Sequence, residues 1–318
     1  MPAELPPSLH PEAAKVLDLL VRAGKAEYHT MPAHEARAAH EERATALDMA
    51  PYPLPHVRDV TLPGGAGKLP ARVYANQSSP RDLPVVLWLH GGGHTVGSIA
   101  VYDSICRRLA RLSDCLVVSL EYRLAPEHKF PAALDDAYAA LQWLTLHAHE
   151  LGGDRQRLAV AGDSAGGNLA AVCALLARDR ALPGLRAQLL VYPAVAADTD
   201  HDSHRLFAEG FLLTAESIRW FQHQYLNHAT EREDWRFAPL LAPHHRSLPP
   251  ALLIVAGHDP LRDEGIAYAR RLCEAGNAVE LVNHEGMIHA FWNLGAAIRE
   301  AARSIEQAAA FLRAELNR

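Results

Sequence analysis

Residues 158–168 constrain this chain more than any other stretch. The apolar run Leu158-Ala159-Val160-Ala161 passes without a break into Gly162-Asp163-Ser164-Ala165-Gly166, and a helix-like pattern follows to about residue 180. A short apolar run entering a glycine-flanked serine and then a helix matches the Gly-x-Ser-x-Gly nucleophile elbow. Glycines two positions either side of the serine lack a Cβ, so strand and helix can close on one another while the serine occupies a strained backbone conformation at the apex. Such a turn holds the hydroxyl out over the edge of a sheet. By itself the pattern is five residues long, and a plain glycine-rich turn satisfies it equally well.

The surrounding chain supplies the sheet. Residues 83–89 form a near-continuous apolar run that reads as a strand buried on both faces, and it ends abruptly in His90-Gly91-Gly92-Gly93. Further strands are expected at 116–122, 187–192, 249–256 and 278–283, separated by helices near 100–112, 131–151, 165–180 and 262–275. Ile298, Ile305 and Leu312 mark one face of a last helix. Alternation of this kind calls for a mostly parallel sheet with helices on both faces, because parallel neighbours need crossovers. Ahead of it, residues 57–74 suggest a hairpin with a longer loop around Pro63-Gly64-Gly65-Ala66-Gly67. Helices at 11–23 and about 34–48, and the polar insertion at 197–236 with a helix near 215–226, have no place in the sheet.

Composition narrows the partners. At 318 residues with 49% hydrophobic and 21% charged residues, the chain has the balance of a globular protein, and no apolar run approaches a membrane span. A formal charge of -6 without a lysine- or arginine-rich block gives no footprint for nucleic acid. The proline-rich, polar start, residues 1–10, lacks the order of a secretory signal, so a cytoplasmic location is expected. Cys106, Cys115, Cys173 and Cys273 are scattered and read as buried free thiols. The histidine groups at 201 and 204 and at 244 and 245 follow no metal-ligand spacing and read as exposed loop; no metal or other cofactor is expected.

In open parallel sheets, chemistry gathers where loops leave the carboxyl ends of strands. Ser164, Asp259 and His289 each follow such a strand, in the chain order Ser–Asp–His of one serine hydrolase design. A serine hydroxyl needs a base to take its proton during attack, which points to His289. A carboxylate must orient the imidazole and stabilise its cation, and Asp259 lies nearest the strand end. Asp263 and Glu264 are rivals, but a helix starting near Leu261 directs them away from the loop. The backbone N–H groups of Gly92, Gly93 and Ala165 are the expected oxyanion donors.

Together, His90-Gly91-Gly92-Gly93, the stretch Tyr122-Arg123-Leu124-Ala125-Pro126-Glu127-His128 leading to Phe130-Pro131-Ala132-Ala133, Gly162-Asp163-Ser164-Ala165-Gly166-Gly167-Asn168, Asp259-Pro260-Leu261 and His289 resemble the hormone-sensitive-lipase-like esterases. The likeness runs from about residue 50 to the end. It implies an α/β-hydrolase body over 50–196 and 237–318, a helical cap built from 1–49 and 197–236, and hydrolysis of short- to medium-chain carboxylic esters through an acyl-enzyme. Asp163 before the serine matches one subgroup's form of the elbow and reads as a brace for nearby loops; Glu127 and His128 read as a structural turn. Two residues depart from the family pattern: His94 stands where an aromatic residue is common, and Ala290 where glycine often follows the histidine. His94 fits either a solvated loop or the pocket mouth. An amidase, peptidase or lactonase could use the same triad, and a non-catalytic small-molecule receptor could use the same fold. The edge strand leaves monomer and homodimer both open.

Overall fold

The computed structural model describes residues 8–24, 26–197 and 200–318; positions 1–7 and 25 of the expected cap, and two positions at the start of the insertion, lie outside them. The first helices are α1 (Pro11–Arg22) and α2 (Ala33–Leu47). The hairpin β1 (His56–Gly64) and β2 (Gly67–Ala75) follows, then β3 (Leu83–Leu89), α3 (Asp103–Ser113), β4 (Leu116–Leu120) and α4 (Ala132–His147). Next come β5 (Gly153–Asp163), α5 (Ala165–Asp179) and β6 (Leu185–Val191), and the insertion carries α6 (Asp202–Leu206) and α7 (Ala215–Tyr225). The chain closes with β7 (Ala251–His258), α8 (Arg262–Glu274), β8 (Val279–Ile288) and α9 (Glu300–Leu316).

Among the described residues the strands form one eight-stranded sheet in the order β1-β2-β4-β3-β5-β6-β7-β8. β1 and β2 are antiparallel to their neighbours, and every pairing from β4 to β8 is parallel. β3 is buried along its whole length, as its apolar run requires, and its alternating side chains feed two cores. Val85, Leu87 and Leu89 pack with Leu141 of α4, Leu169 of α5 and Leu272 of α8. Val86 and Trp88 face the other way, toward Leu109 of α3, Ile305 of α9 and Val16 of α1. Each such Leu or Ile, fully buried, contributes about 2 kcal/mol. Among the described residues, no helix is long and apolar enough to cross a membrane.

Only Gly65 and Ala66 separate β1 from β2, so the hairpin is tighter than the glycine run suggests. β8 runs five residues past the expected end, because its partner β7 extends pairing to His258, so His289 leaves the strand directly. His204 and His245 are buried, not exposed loop: Glu264 receives the first, and the second meets the Pro239 carbonyl. Cys273 is exposed on α8, facing away from the core, while the other three thiols are buried; all four are free.

Candidate active site

The sheet order brings the functional loops together. β3 and β5 are neighbours, so the loop after β3 lies beside the elbow; β7 and β8 are neighbours, so the loops carrying Asp259 and His289 meet. All four leave carboxyl ends.

At the elbow Ser164 has φ 52° and ψ −118°, a region that costs a non-glycine residue of order 1–3 kcal/mol. Surrounding bonds enforce it: the Ser164 N–H donates to Val191 O at 2.8 Å, and the Ala194 N–H donates to Ser164 O at 3.2 Å. The flanking glycines are needed for contact. A Cβ on Gly162 would lie 2.5 Å from Leu89 O, and one on Gly166 only 1.9 Å from that same oxygen. Side chains are excluded at both positions.

Ser164, His289 and Asp259 form one hydrogen-bonded line. His289 Nδ1–H donates to Asp259 Oδ2 at 2.7 Å, and Ser164 Oγ–H lies 3.0 Å from His289 Nε2. An ionised carboxylate only accepts, so the Nδ1 proton is fixed by Asp259 and Nε2 is left free to accept from the serine. Asp259 is fully buried, and the Leu261 N–H occupies its other oxygen at 2.8 Å. The rivals are engaged elsewhere. Glu264 accepts from the N–H groups of Val195 at 2.6 Å and Ala196 at 3.1 Å and from His204 Nε2 at 2.8 Å, and burial pushes its carboxyl up. Asp263 accepts the Ser203 N–H at 2.8 Å.

Gly92 and Gly93 have φ of +115° and +57°, which turns the loop back toward the elbow. Among the described residues no acceptor takes their N–H groups. Ala165 opens α5, so its N–H has no intrahelical partner either. Asp163 ties this loop to the elbow: Oδ1 accepts the Gly91 N–H at 2.7 Å and Oδ2 accepts the Tyr102 hydroxyl at 3.0 Å. Burial pushes Asp163 up to about 7, against the effect of those two donors.

The tyrosine-to-proline stretch is structural throughout. Tyr122 donates to His90 O at 2.6 Å, and Arg123 grips the fully buried Asp136 with bonds of 2.8 Å to both oxygens. Arg37 of α2 holds Glu127 and also donates to Thr95 O at 2.9 Å and Ala125 O at 2.7 Å. Hydrogen bonding to Arg37 holds the Glu127 carboxyl down at about 2. Lys129 Nζ caps the end of α7 at Leu226 O, 2.8 Å.

Ser164 and His289 line a cavity of about 1260 Å³, counting its open mouth. His94 lines it too, with its ring stacked at 3.9 Å on Tyr225 of α7; it is buried, and burial pushes its imidazole down to about 3. The solvated-loop alternative for His94 is thereby excluded. Leu212, Ile218 and Phe221 of the insertion supply an apolar wall. Tyr28, His40 and Arg43 from the N-terminal segment supply a polar one. Sequence reasoning singled out none of these three, and no motif marks them; the only signal is their spacing of three along α2 for His40 and Arg43.

Comparison with known proteins agrees with this geometry. A family model described as the alpha/beta hydrolase fold matches residues 86–293. The chain is 40% identical to the ethyl acetate hydrolase of Pseudomonas putida, over 92% of this chain and 95% of that one. It is 45% identical to the carboxylic ester hydrolase LipN of Mycobacterium tuberculosis, over 82% of this chain and 71% of LipN. Among solved structures, an ester hydrolase from the metagenome of Lake Arreo superposes with a TM-score of 0.94 at 39% identity, covering 98% of this chain and 100% of that one. A thermostable esterase from Pseudomonas putida superposes with the same score, 0.94, at 33% identity, covering 98% of this chain and 99% of its own. With the sheet, the elbow and these relatives in agreement, the chain belongs to the α/β-hydrolase superfamily, in its hormone-sensitive-lipase-like carboxylesterase family.

Proposed function

We propose that this protein is a serine carboxylic ester hydrolase acting on short- to medium-chain esters through an acyl-enzyme. Ser164 Oγ attacks the ester carbonyl carbon as its proton passes to His289 Nε2. Asp259 keeps the imidazole in the accepting tautomer and stabilises its cation without taking the proton. The carbonyl oxygen, now an anion, receives the N–H groups of Gly92, Gly93 and Ala165. Collapse breaks the bond to the alkoxy oxygen, which leaves as the alcohol with the proton from His289. Water then repeats the sequence on the acyl-enzyme and releases the acid with Ser164 restored. No cofactor enters either half.

The observation that carries the reading is the unbroken line from Asp259 through His289 to Ser164, 2.7 and 3.0 Å, on the wall of a cavity that also presents two glycine N–H groups with no acceptor among the described residues. In this reading α2 and α7 act as the cap, since residues of both line the cavity above the serine. α1 belongs with the body: its Val16 packs into the sheet's second core. A cytoplasmic setting suits four free thiols, and the working unit is a monomer or homodimer.

The test is Ser164→Ala with 4-nitrophenyl esters of increasing chain length, beside labelling of the unmutated protein by an organophosphonate. Ester hydrolysis falls at least about ten-thousand-fold in a folded variant, and the label sits on Ser164. Near-normal turnover by Ser164→Ala overturns the assignment; a protein that neither labels nor turns over is a receptor.

A further inference from the structure

Two arginines of α2 are in opposite circumstances, and only the second lines the cavity. Arg37 is saturated: its guanidinium donates to Thr95 O, Ala125 O and both oxygens of Glu127. Arg43, nearly two turns further on, lines the substrate cavity and is half-buried there. Its Nη2 meets the Tyr28 hydroxyl and, at 3.4 Å, His40 Nδ1, and its guanidinium lies 4.9 Å from the centroid of the Tyr28 ring. Among the described residues, Nε and Nη1 have no acceptor and no carboxylate stands within ion-pairing distance. The two carboxylates that reach the cavity wall are already committed, Asp163 to Gly91 and Tyr102, Glu264 to the backbone at 195 and 196 and to His204.

Arg43 is a cation on the wall of a largely apolar cavity with no protein counter-charge, and its Nε and Nη1 stay open to the cavity. Its side chain is not loose, however. Tyr28 is held in turn by His40 at 2.7 Å and by Phe221 edge-on at 5.6 Å, so the guanidinium rests on a fixed aromatic surface with two of its nitrogens free to donate. His40 adds no second positive charge: burial, with Arg43 beside it, pushes its imidazole down to about 3. A guanidinium fixed in place, with unused N–H donors on Nη1 and Nε, is suited to an anionic acceptor such as a carboxylate, whose charge it also balances. The protein's formal charge of -6 gives an anion no general attraction, so any preference for one must arise locally.

We propose that Arg43 is a substrate-recognition residue that binds an anionic group, so that the cavity accepts esters carrying a free carboxylate, such as half-esters of dicarboxylic acids or acylated hydroxy acids. This rests on the ester hydrolase reading above. The carboxylate of the substrate occupies the free side of the guanidinium while the ester carbonyl lies against Ser164. Tyr28 and His40 touch the substrate less than they position Arg43.

The experiment compares two matched pairs of esters at pH 8 in the full-length protein. Mono-4-nitrophenyl glutarate and its neutral methyl ester carry or lack the charge on the acyl side; 4-acetoxybutyrate and its methyl ester carry or lack it on the alcohol side. Readouts are 4-nitrophenolate release for the first pair and acetate release for the second. For at least one pair, Arg43→Gln lowers the ratio of kcat/KM for the charged ester over the neutral one by about ten- to a hundredfold, mainly through KM. Arg43→Lys recovers part of that ratio, and added salt erodes it in the unmutated protein. A ratio that moves less than twofold in both pairs overturns the proposal, as does a loss equal for charged and neutral partners, which would mark Arg43 as a structural support for Tyr28. Absence of hydrolysis of every ester by the unmutated protein would instead refute the ester hydrolase reading, and the two failures are therefore distinct.

Discussion

Replacing Gly166 with alanine sets two effects of opposite sign against each other at one position. Gly166 lies in the first turn of α5 with ordinary helical geometry, and on propensity alone alanine would stabilise that helix by at most about 1 kcal/mol. The added Cβ, however, would stand 1.9 Å from Leu89 O and 2.6 Å from His90 O, roughly 1.5 and 0.8 Å short of the 3.4 Å at which ordinary contact begins. Both obstacles are backbone, and neither can swing aside. Leu89 ends β3 and is paired on one side with Leu120 and on the other with Gly162, so its carbonyl retreats only if the centre of the sheet moves. Overpacking of a rigid site costs 1–3 kcal/mol and more where backbone is displaced, so a net loss of about 3 kcal/mol is expected. Displacement at Leu89 and His90 is passed to Gly92 and Gly93, and a 1 Å error in positioning there costs about a hundredfold in rate. Urea denaturation and turnover of 4-nitrophenyl acetate measure both effects. Gly210→Ala is the control: nothing lies within 4 Å of its Cβ, and its φ of +86° limits the cost to about 1 kcal/mol with no loss of rate. If Gly166→Ala is as stable as the parent and its kcat is within twofold, the close approach of α5 to β3 is not what the elbow requires.

Asp163 titrates in the folded state near 7, against 3.8 as its ordinary value, because it is buried. A raised carboxyl pKa means that its contribution to stability is full below pH 4 and is lost as pH rises to 7. Asp163→Asn has no such charge, so its stability relative to the parent improves by a few kcal/mol between pH 4 and pH 8, read from urea midpoints; an unchanged difference across that range refutes it. Asp259→Asn keeps the fold but can donate to His289 Nδ1, forcing the proton onto Nε2, where it faces Ser164. A fall in kcat of about ten-thousand-fold is expected with little change in KM, and a fall under tenfold would exclude Asp259 as the orienting group.

The central part of this structure was legible because it is written in local chemistry. The elbow, the glycine loop and the buried run at 83–89 each declare their conformation within about ten residues, and the order of Ser164, Asp259 and His289 did the rest. What escaped depends on distant partners. His204 and His245 sit in polar stretches that look like exposed loop, and only Glu264 and the Pro239 carbonyl, remote in sequence, make burial tolerable. The end of β8 was missed because its residues His284, Glu285 and Gly286 are poor strand formers, carried across an irregularity by pairing to β7 at His284 and Ile288. Arg43 was hidden for a related reason. α2 buries little but alanine, so its inward face carries Arg37, His40 and Arg43 and shows no apolar stripe to mark it.

The buried Glu264 has a bearing on how this enzyme can diversify. From the first turn of α8, just after the loop of Asp259, it secures the backbone at Val195 and Ala196, where the chain leaves the sheet, and His204 within the insertion. The root of the insertion is thus bolted to the same rigid body as the catalytic acid, upstream of Leu212, Ile218 and Phe221, which shape the cavity. Substitutions beyond the root can remodel which esters enter without shifting Asp259, so substrate range can drift across generations while the chemistry is inherited intact.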